Sequence, residues 1–496
     1  MAELKWALDY IKNASNELKN NYIGGEWVRG GGPSYGSINP ANNEVLGCFA
    51  AASVEDVDAA VKAARKALSG PWGKSITNRE RGRMMMHLAR DIEARRSKLA
   101  TLETLDNGKL YTESLADVDS LVELLEYYAG WVDKHHGDVY PVPGQFLSYA
   151  RKEPMGVCGQ IIPWNFPIDM AAYKLAPALA TGNTIVIKPS EITSFSLMYI
   201  MDIIHDSGLL PEGVLNMVLG GADIGEAMGR HMDIDKIAFT GSTAVGRKLL
   251  TYAAESNLKP VSLELGGKSP NIIFADAPDL DFAISRSFDI MFFGKGEKCS
   301  EPTRLFVERP VYEKVLSGLT EKYNKWKVGD PFNPAMHQGA QISQVHFDKI
   351  MGYIALGKEE GGKLLCGGDR NIEGDNAKGW FINPTIFYDC HNKMRIAQEE
   401  IFGPVLSVIP FDNEDEVVNM ANDCAYGLGS GFWTNDVSRT QRVANAIKAG
   451  MVFINRYGCY DAASPFGGIK ESGWGQELAK TSLDLYTRNK VVWYYY

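Results

Sequence analysis

The sequence contains no CxxC pair, and none of its seven cysteines (Cys48, Cys158, Cys299, Cys366, Cys390, Cys424 and Cys459) stands with histidine at zinc-ligand spacing. That excludes a zinc ribbon, a CxxC redox centre and a disulfide framework, and no metal site is expected. An odd, scattered cysteine set suits a reducing cytoplasm, with at most one or two thiols chemically special. No Lys/Arg block dominates any region and the formal charge is −10, so nucleic acid is not an expected partner. The longest apolar-looking stretch, 161–187, is interrupted by Asp169, Lys174, Pro177 and Gly182, so no membrane span is expected. Residues 1–21 lack the apolar centre and cleavage site of a signal peptide. Leu4, Leu8, Ile11 and Leu18 read instead as an amphipathic helix packed on the body.

Two nucleotide fingerprints are missing as well. Gly241-Ser-Thr-Ala-Val-Gly246 is followed by Arg247-Lys248, not by Lys and then Ser or Thr. The ammonium and hydroxyl of a phosphate loop are therefore absent, which excludes an NTPase of that type. No GxGxxG run occurs either; Gly294-Lys295-Gly296 supplies only part of one.

What is present is a 496-residue chain with 45% hydrophobic residues, long enough for two or three domains with sizeable cores. From Val157 to Leu265, short β-rich runs alternate with helical ones. Strands are expected at 157–162, 184–187, 214–218, 236–239 and 261–265. Helices are expected at 167–180, 195–207, around 224–229 and at 244–254. Such alternation predicts a parallel sheet with helices on both faces. Ligands in these sheets sit beyond the C-terminal strand ends. The loops there are Pro163-Trp164-Asn165, Lys188-Pro189-Ser190-Glu191, Gly220-Gly221, Thr240-Gly241-Ser242 and Gly266-Gly267. In any one loop Gly and Pro are turn punctuation; gathered at one sheet edge, they predict a cleft. A second α/β pattern runs from Asn271 to about Glu477, with strands at 271–274, 305–307, 406–409 and 451–454. Residues 137–151 and the tail 490–496 stand apart as β-rich segments. An aromatic tail of that kind is an aggregation hazard if left alone, so a partner subunit is expected to cover it.

Three residues invite chemistry. A free cysteine is most often a buried small hydrophobe. Cys299, however, lies in Gly294-Lys295-Gly296-Glu297-Lys298-Cys299-Ser300, which is unlike a core. Adjacent Lys298 is expected to favour the thiolate. Glu264 ends an apolar strand, where a carboxylate costs desolvation unless paired or functional. Asn165 is a turn residue by default and an oxyanion donor if it faces a reacting carbonyl. The three carry weight together only if they meet in one cleft.

Read together, these segments resemble the aldehyde dehydrogenase superfamily. The resemblance is carried by Ile162-Pro163-Trp164-Asn165-Phe166-Pro167, Lys188-Pro189-Ser190-Glu191, Phe239-Thr240-Gly241-Ser242-Thr243 and Leu263-Glu264-Leu265-Gly266-Gly267-Lys268-Ser269-Pro270. Glu399-Glu400-Ile401-Phe402-Gly403-Pro404-Val405 and Ser464-Pro465-Phe466-Gly467-Gly468 extend it collinearly. It implies a Rossmann-like NAD-binding domain (residues 1–134 and 155–266) and a second α/β catalytic domain (267–481). A small β oligomerisation segment (135–154 and 482–496) completes the α/β fold, in a homodimer or homotetramer.

The resemblance also implies a reaction: NAD-dependent oxidation of an aldehyde to the carboxylic acid, in the hydrolytic branch. Cys299 is implied as the nucleophile, forming a thiohemiacetal and then a thioester. The Asn165 side chain and the Cys299 N–H hold the oxyanion, and Glu264 activates the hydrolytic water. Lys174 and Glu477 match positions that pass protons from the base. On the cofactor side, Lys188, Ser190 and Glu191 match the adenosine-ribose grip. Ile162, Pro163, Trp164, Gly221, Gly225 and Phe239 match the adenine and pyrophosphate path, with Gly241, Ser242 and Leu265. Glu400 and Phe402 match the nicotinamide end. A carboxylate at 191 favours NAD, because it bonds a ribose 2′-hydroxyl and repels a 2′-phosphate; NADP use stays open. Met170, Tyr173, Phe293, Lys298, Ser300, Tyr457, Tyr460 and Phe466 match substrate-tunnel positions. That set is mostly aromatic and suits an aromatic or medium-chain apolar aldehyde, with Asp169 and Lys298 as the alternative, polar readers. The nucleophile loop departs from the common Asn-Gln-Gly-Gln, reading Gly294-Lys295-Gly296-Glu297, and Glu301-Pro302 replaces Ala-Gly. These changes bring charge of both signs near the thiol.

Overall fold

The computed structural model describes residues 2–17 and 20–496. Its central sheet is built from the alternating segment. Strands Val157–Ile161, Thr184–Lys188, Leu215–Met217, Lys236–Thr240 and Val261–Glu264 lie close to their expected bounds and are buried along their whole length. Burial on both faces explains their near-continuous apolar character. In space they run 261–264, 236–240, 157–161, 184–188, 215–217, all parallel. The chain therefore builds outward from Val157–Ile161 in one direction, then crosses and builds outward in the other. That reversal creates a switch point between Val157–Ile161 and Lys236–Thr240, where two strand ends diverge and leave a crevice. Pro167, with its φ preset for the first turn, starts the helix Pro167–Ala180 there. Ser242 caps the helix Thr243–Ala254 by accepting from the Val245 N–H. The sheet is eight-stranded. One edge is closed by the antiparallel hairpin Asn21–Ile23/Glu26–Val28. The other is closed by Gly473–Trp474, which returns from late in the chain to pair with Leu263 and Glu264.

A seven-stranded sheet forms the second lobe, in the order Lys363–Cys366, Thr385–Tyr388, Val405–Phe411, Arg304–Glu308, Pro270–Ile273, Gly429–Trp433 and Met451–Ile454. All pairs are parallel except the first, Lys363–Cys366 with Thr385–Tyr388. Gly429–Trp433 reads poorly as a strand because Gly-Ser-Gly lacks β-branched residues. Its glycine serves packing: a Cβ at Gly431 would stand 2.4 Å from Cδ2 of Tyr457. Phe146–Pro154 pairs with Thr487–Tyr495 and Val139–Tyr140 in a separate three-stranded sheet. Val491, Trp493, Tyr494 and Tyr495 are exposed on it.

The N-terminal helix spans Ala2–Glu17 and buries Ala7 and Ile11, with Leu4 packed alongside. Leu8, expected on the buried face, is 45% exposed, because Ala7 and Ile11 set that face at i, i+4 spacing. Leu18 lies outside the described residues. Helices Val54–Ser69 and Asn78–Glu93 each open on a reciprocal capping box, Ser53/Asp56 and Thr77/Glu80. Arg96–Asn107 and Tyr111–Ala129 follow; the second lends Asp117 to the cleft wall, and the first ends on Asn107, which bonds the Trp164–Asn165 loop. Among the described residues, no helix is long and apolar enough to cross a membrane.

Candidate active site

The chain passes from the first sheet to the second through Leu265-Gly266-Gly267-Lys268-Ser269. Both glycines are required by close approach. A Cβ on Gly266 would meet Oε2 of Glu400 at 2.4 Å, and one on Gly267 would meet the Cys299 carbonyl oxygen at 2.2 Å. The crossing thus lets the Cys299 loop and Glu400 rest directly on its backbone, and the Gly267 N–H donates to Glu400 Oε1 at 2.9 Å.

A cavity of about 410 Å³ opens at this junction and reaches the switch point. Cys299 and Asn165 both line it. So do Pro163, Trp164, Gly241, Ser242, Leu265, Glu400 and Phe402 from the expected cofactor side. Met170, Tyr173, Phe293, Lys298, Ser300, Tyr460 and Phe466 line it from the expected substrate side. Tyr457 does not. It is fully buried behind the loop, and its hydroxyl donates to the Ser300 carbonyl at 2.9 Å. It shapes the tunnel from behind rather than facing it. Ile162 and Phe239 are likewise buried, at 2% and 5% exposure, and do not line the cavity.

Glu264 is buried next to the cavity rather than in its wall, and its Oε2 accepts no hydrogen bond among the described residues. Burial, with the charge of Glu477 adding to it, pushes its carboxyl well above the ordinary range, against the pull of Lys174. Lys174 itself is fully buried and donates to Glu477 Oε1 at 2.5 Å and to Thr240 Oγ1 at 2.6 Å. A chain of titratable groups thus runs inward from Glu264. The Cys299 thiol is pushed up to about 12 by burial and then by the carboxylates Glu264 and Glu400, with Lys298 opposing. The expectation that Lys298 sets the thiol's acidity is therefore corrected: desolvation wins, and the thiol at rest is protonated.

The unusual loop sorts its charges. Lys295 and Glu297 turn inward, not toward the thiol. They form a buried ion pair at 2.8 Å, and the ammonium also donates to the Asn107 carbonyl and to Asn107 Oδ1 at 2.8 and 3.1 Å. Glu297 Oε1 accepts from the Ile342 N–H at 3.1 Å. These bonds hold Lys295 at φ +65°, a left-handed conformation that a non-glycine residue adopts only when its surroundings compensate. The same cluster reaches the oxyanion candidate. Asn107 Nδ2 donates to the Trp164 and Asn165 carbonyls at 2.7 and 3.2 Å, and Asn165 Nδ2 donates to the Glu297 carbonyl at 2.8 Å. Removing one member of a buried ion pair strands the other. Lys295→Gln or Glu297→Gln alone is therefore expected to cost about 3–5 kcal/mol in a denaturant titration. The double replacement, which restores neutral partners, is expected to recover most of that loss. Equal losses in the single and double variants would contradict the pairing.

On the cofactor side, Lys188 Nζ donates to the Pro189 and Gly220 carbonyls at 3.0 and 2.6 Å and lies 3.9 Å from Glu191. Ser190 is buried beside them, its carbonyl accepting from the Ser194 hydroxyl. These residues stand at neighbouring strand ends, outside that cavity. A Cβ on Gly225 would touch nothing closer than 3.9 Å, and one on Gly221 nothing closer than 3.4 Å. The backbone is open there, as a flat ring resting on it requires. Above it, the N-terminus of Thr243–Ala254 presents N–H groups suited to an anion. The donor set fits a dinucleotide: a carboxylate and a lysine at one end, helix N–H groups in the middle, Glu400 at the other.

Sequence reasoning missed several wall residues. His346 and Lys349 line the cavity from the helix Gln344–Glu359, and Asp117 from Tyr111–Ala129. His346 Nε2 lies 2.6 Å from the Phe402 carbonyl, and its ring packs edge-on against Trp164. No local pattern marks these positions; only the packing of distant helices brings them in.

A doubly wound sheet with a polar cleft at its switch point is the arrangement of a nucleotide-binding enzyme. Comparison with known proteins narrows that class. The aldehyde dehydrogenase family model matches residues 27–492. The mitochondrial aldehyde dehydrogenase of Homo sapiens is 47% identical over 463 residues, covering 92% of this chain and 88% of the relative. An NAD+ complex of an aldehyde dehydrogenase from Bacillus cereus superposes with a TM-score of 0.94 at 45% identity, covering 97% and 98% of the two chains. Betaine aldehyde dehydrogenase from Staphylococcus aureus, in complex with NAD+, gives 0.95 at 37% identity, covering 100% and 98%. The chain belongs to the aldehyde dehydrogenase family and is an oxidoreductase acting on aldehydes.

Proposed function

We propose that this chain oxidises an aldehyde to its carboxylic acid with NAD, through a thioester on Cys299. The observation that carries the reading is one cavity lined by both the Cys299 thiol and the Asn165 amide, with Glu264 buried beside it. Asn165 has two N–H donors. One is fixed on the Glu297 carbonyl at 2.8 Å, which orients the other toward an oxyanion formed on attack by Cys299. The resting thiol is protonated, and its proton leaves to solvent through the open cavity as the sulfur attacks. Glu264, a stronger base than a solvated carboxylate once ionised, takes the proton of the hydrolytic water, and Lys174 and Glu477 carry it inward. NAD held in the cleft would supply the hydride acceptor needed between thiohemiacetal and thioester. Glu264 then removes a proton from water as its oxygen attacks the acyl carbon. The C–S bond breaks, the thiol is regenerated and the acid leaves. Splitting the reaction in two is the gain from covalent catalysis.

Lys188 and Glu191 would hold the adenosine ribose, the helix N-terminus at Ser242 the pyrophosphate, and Glu400 the second ribose. Preference for NAD rests on the half-exposed carboxylate of Glu191. Glu191→Ser is expected to lower the NAD-to-NADP ratio of kcat/KM about tenfold, roughly 1–2 kcal/mol of charge repulsion at a half-exposed site. An unchanged ratio would remove Glu191 from cofactor choice. The tunnel walls Met170, Tyr173, Phe293 and Phe466 favour an aryl or medium-chain apolar segment next to the carbonyl. The exposed aromatic strand Thr487–Tyr495 supports a homo-oligomer that covers it, dimer or tetramer. The seven cysteines are unpaired, which supports a reducing setting such as the cytoplasm. An aldehyde panel with NAD, followed by NADH absorbance, tests the activity. Turnover of at least one aldehyde is expected, and silence across a broad panel would overturn the reading.

A further inference from the structure

We propose that the aldehyde taken by this enzyme carries an anionic group, a carboxylate or an equivalent oxyanion, at the end remote from the carbonyl. A cationic vestibule outside the tunnel would receive it. The proposal rests on the dehydrogenase reading and extends it to substrate class.

A second cavity, of about 580 Å³, shares Phe293, Lys298 and Tyr460 with the first, so the two meet at those side chains. It adds Arg286, Asp289, Lys322, Lys325, Trp326 and His337 to its wall. Four permanent cations thus face one carboxylate, and Asp289 is already paired with Lys322 at 2.6 Å. Arg286 is pinned by the Tyr457 carbonyl at 3.1 and 3.0 Å from Nε and Nη2 and by the Gly458 carbonyl at 3.4 Å. Carbonyls fix its direction without cancelling its charge. Lys325 is exposed and makes no ion pair among the described residues. Lys298 sits between the rings of Phe293 and Tyr460, 5.4 Å from each. Its carboxylate neighbour, Glu301, is 3.7 Å away, beyond hydrogen-bond reach. Glu301 offsets part of that lysine's charge, whereas Arg286 and Lys325 have no carboxylate partner among the described residues.

This positive vestibule belongs to a chain of net charge −10. A cleft lined by one sign concentrates ligands of the other, and the local sign here opposes the global one. The tunnel side differs: beyond Lys298 its wall includes the apolar faces of Met170, Tyr173 and Phe466, among which an unpaired anion costs desolvation, whereas the vestibule keeps it among cations. The aromatic pair Trp326–His337, stacked at 5.0 Å, gives the spacer a flat wall.

The test uses the full-length protein with NAD and ω-oxo carboxylates of graded chain length, each beside its methyl ester. At one or more lengths the acid is expected to exceed its ester about tenfold in kcat/KM, and the preference to shrink with added salt. Lys325→Glu and Lys298→Met are each expected to lower the acid-to-ester ratio about tenfold. Esters oxidised as well as acids at every length would overturn the proposal while leaving the dehydrogenase reading intact. Failure to oxidise either series would overturn this proposal, and the dehydrogenase reading would fall with it only if the broad aldehyde panel were silent too.

Discussion

Replacing Cys299 with alanine is expected to reduce aldehyde-dependent NADH formation by at least about four orders of magnitude while leaving the fold intact. The size follows from chemistry: without the sulfur there is no covalent intermediate from which a hydride can depart. The intact fold follows from position. Cys299 borders the core but is partly exposed to a cavity, so truncation enlarges an existing opening more than it creates a new void. Cys299→Ser should be almost as inactive, because an alkoxide is harder to generate than a thiolate in a site that already pushes the thiol up to about 12. The other cysteines act as controls. Cys158, buried in the central sheet, and Cys48, exposed on a hairpin, contribute no wall to the cavity. Steady-state rates at saturating NAD, with thermal melts alongside, check the set. Retained turnover in Cys299→Ala would remove Cys299 from the reaction.

The second large effect is expected at Glu264. Glu264→Gln keeps the shape and the hydrogen-bonding capacity of the side chain and removes the base. Acylation needs the nucleophile and the oxyanion donor; deacylation needs an activated water. The variant is therefore expected to form one equivalent of NADH per active site in a rapid burst, then fall to a steady rate at least about a hundredfold below the unaltered enzyme. Burial of Glu264 with no partner on Oε2 among the described residues supports this division, since a structural acceptor would use that oxygen. Stopped-flow absorbance reads both phases. A burst-free, uniformly slow variant would instead assign Glu264 to the first step.

Much of this arrangement was legible in the residues themselves. The parallel strands announce themselves as apolar runs between Gly/Pro-rich loops, and those loops do gather at one sheet edge. Cys299, Asn165 and Glu264 are legible because each sits in a distinctive local run. What escaped is non-local. Asn107 closes a helix well before the strands of the central parallel sheet, yet it ties Lys295 to the Trp164–Asn165 loop. His346 and Asp117 enter the cavity on helices with no motif of their own. Gly429–Trp433 hides its strand because the residues that suit a tyrosine ring against the backbone do not look like strand formers. The thiol's acidity was misjudged because the adjacent lysine is visible in sequence whereas desolvation is not. Tyr457 failed as a tunnel residue for a similar reason. Its spacing matches the wall, but its ring turns to Gly431 behind it.

The thioester on Cys299 is the centre of the account, and one measurement reaches it directly. Glu264→Gln enzyme is mixed with aldehyde and NAD, quenched in acid within the burst, digested and examined by mass spectrometry. The account predicts an added acyl mass on the peptide that contains Cys299, absent when NAD is omitted. Acyl mass on another cysteine, or none on any peptide despite a full burst of NADH, would contradict it.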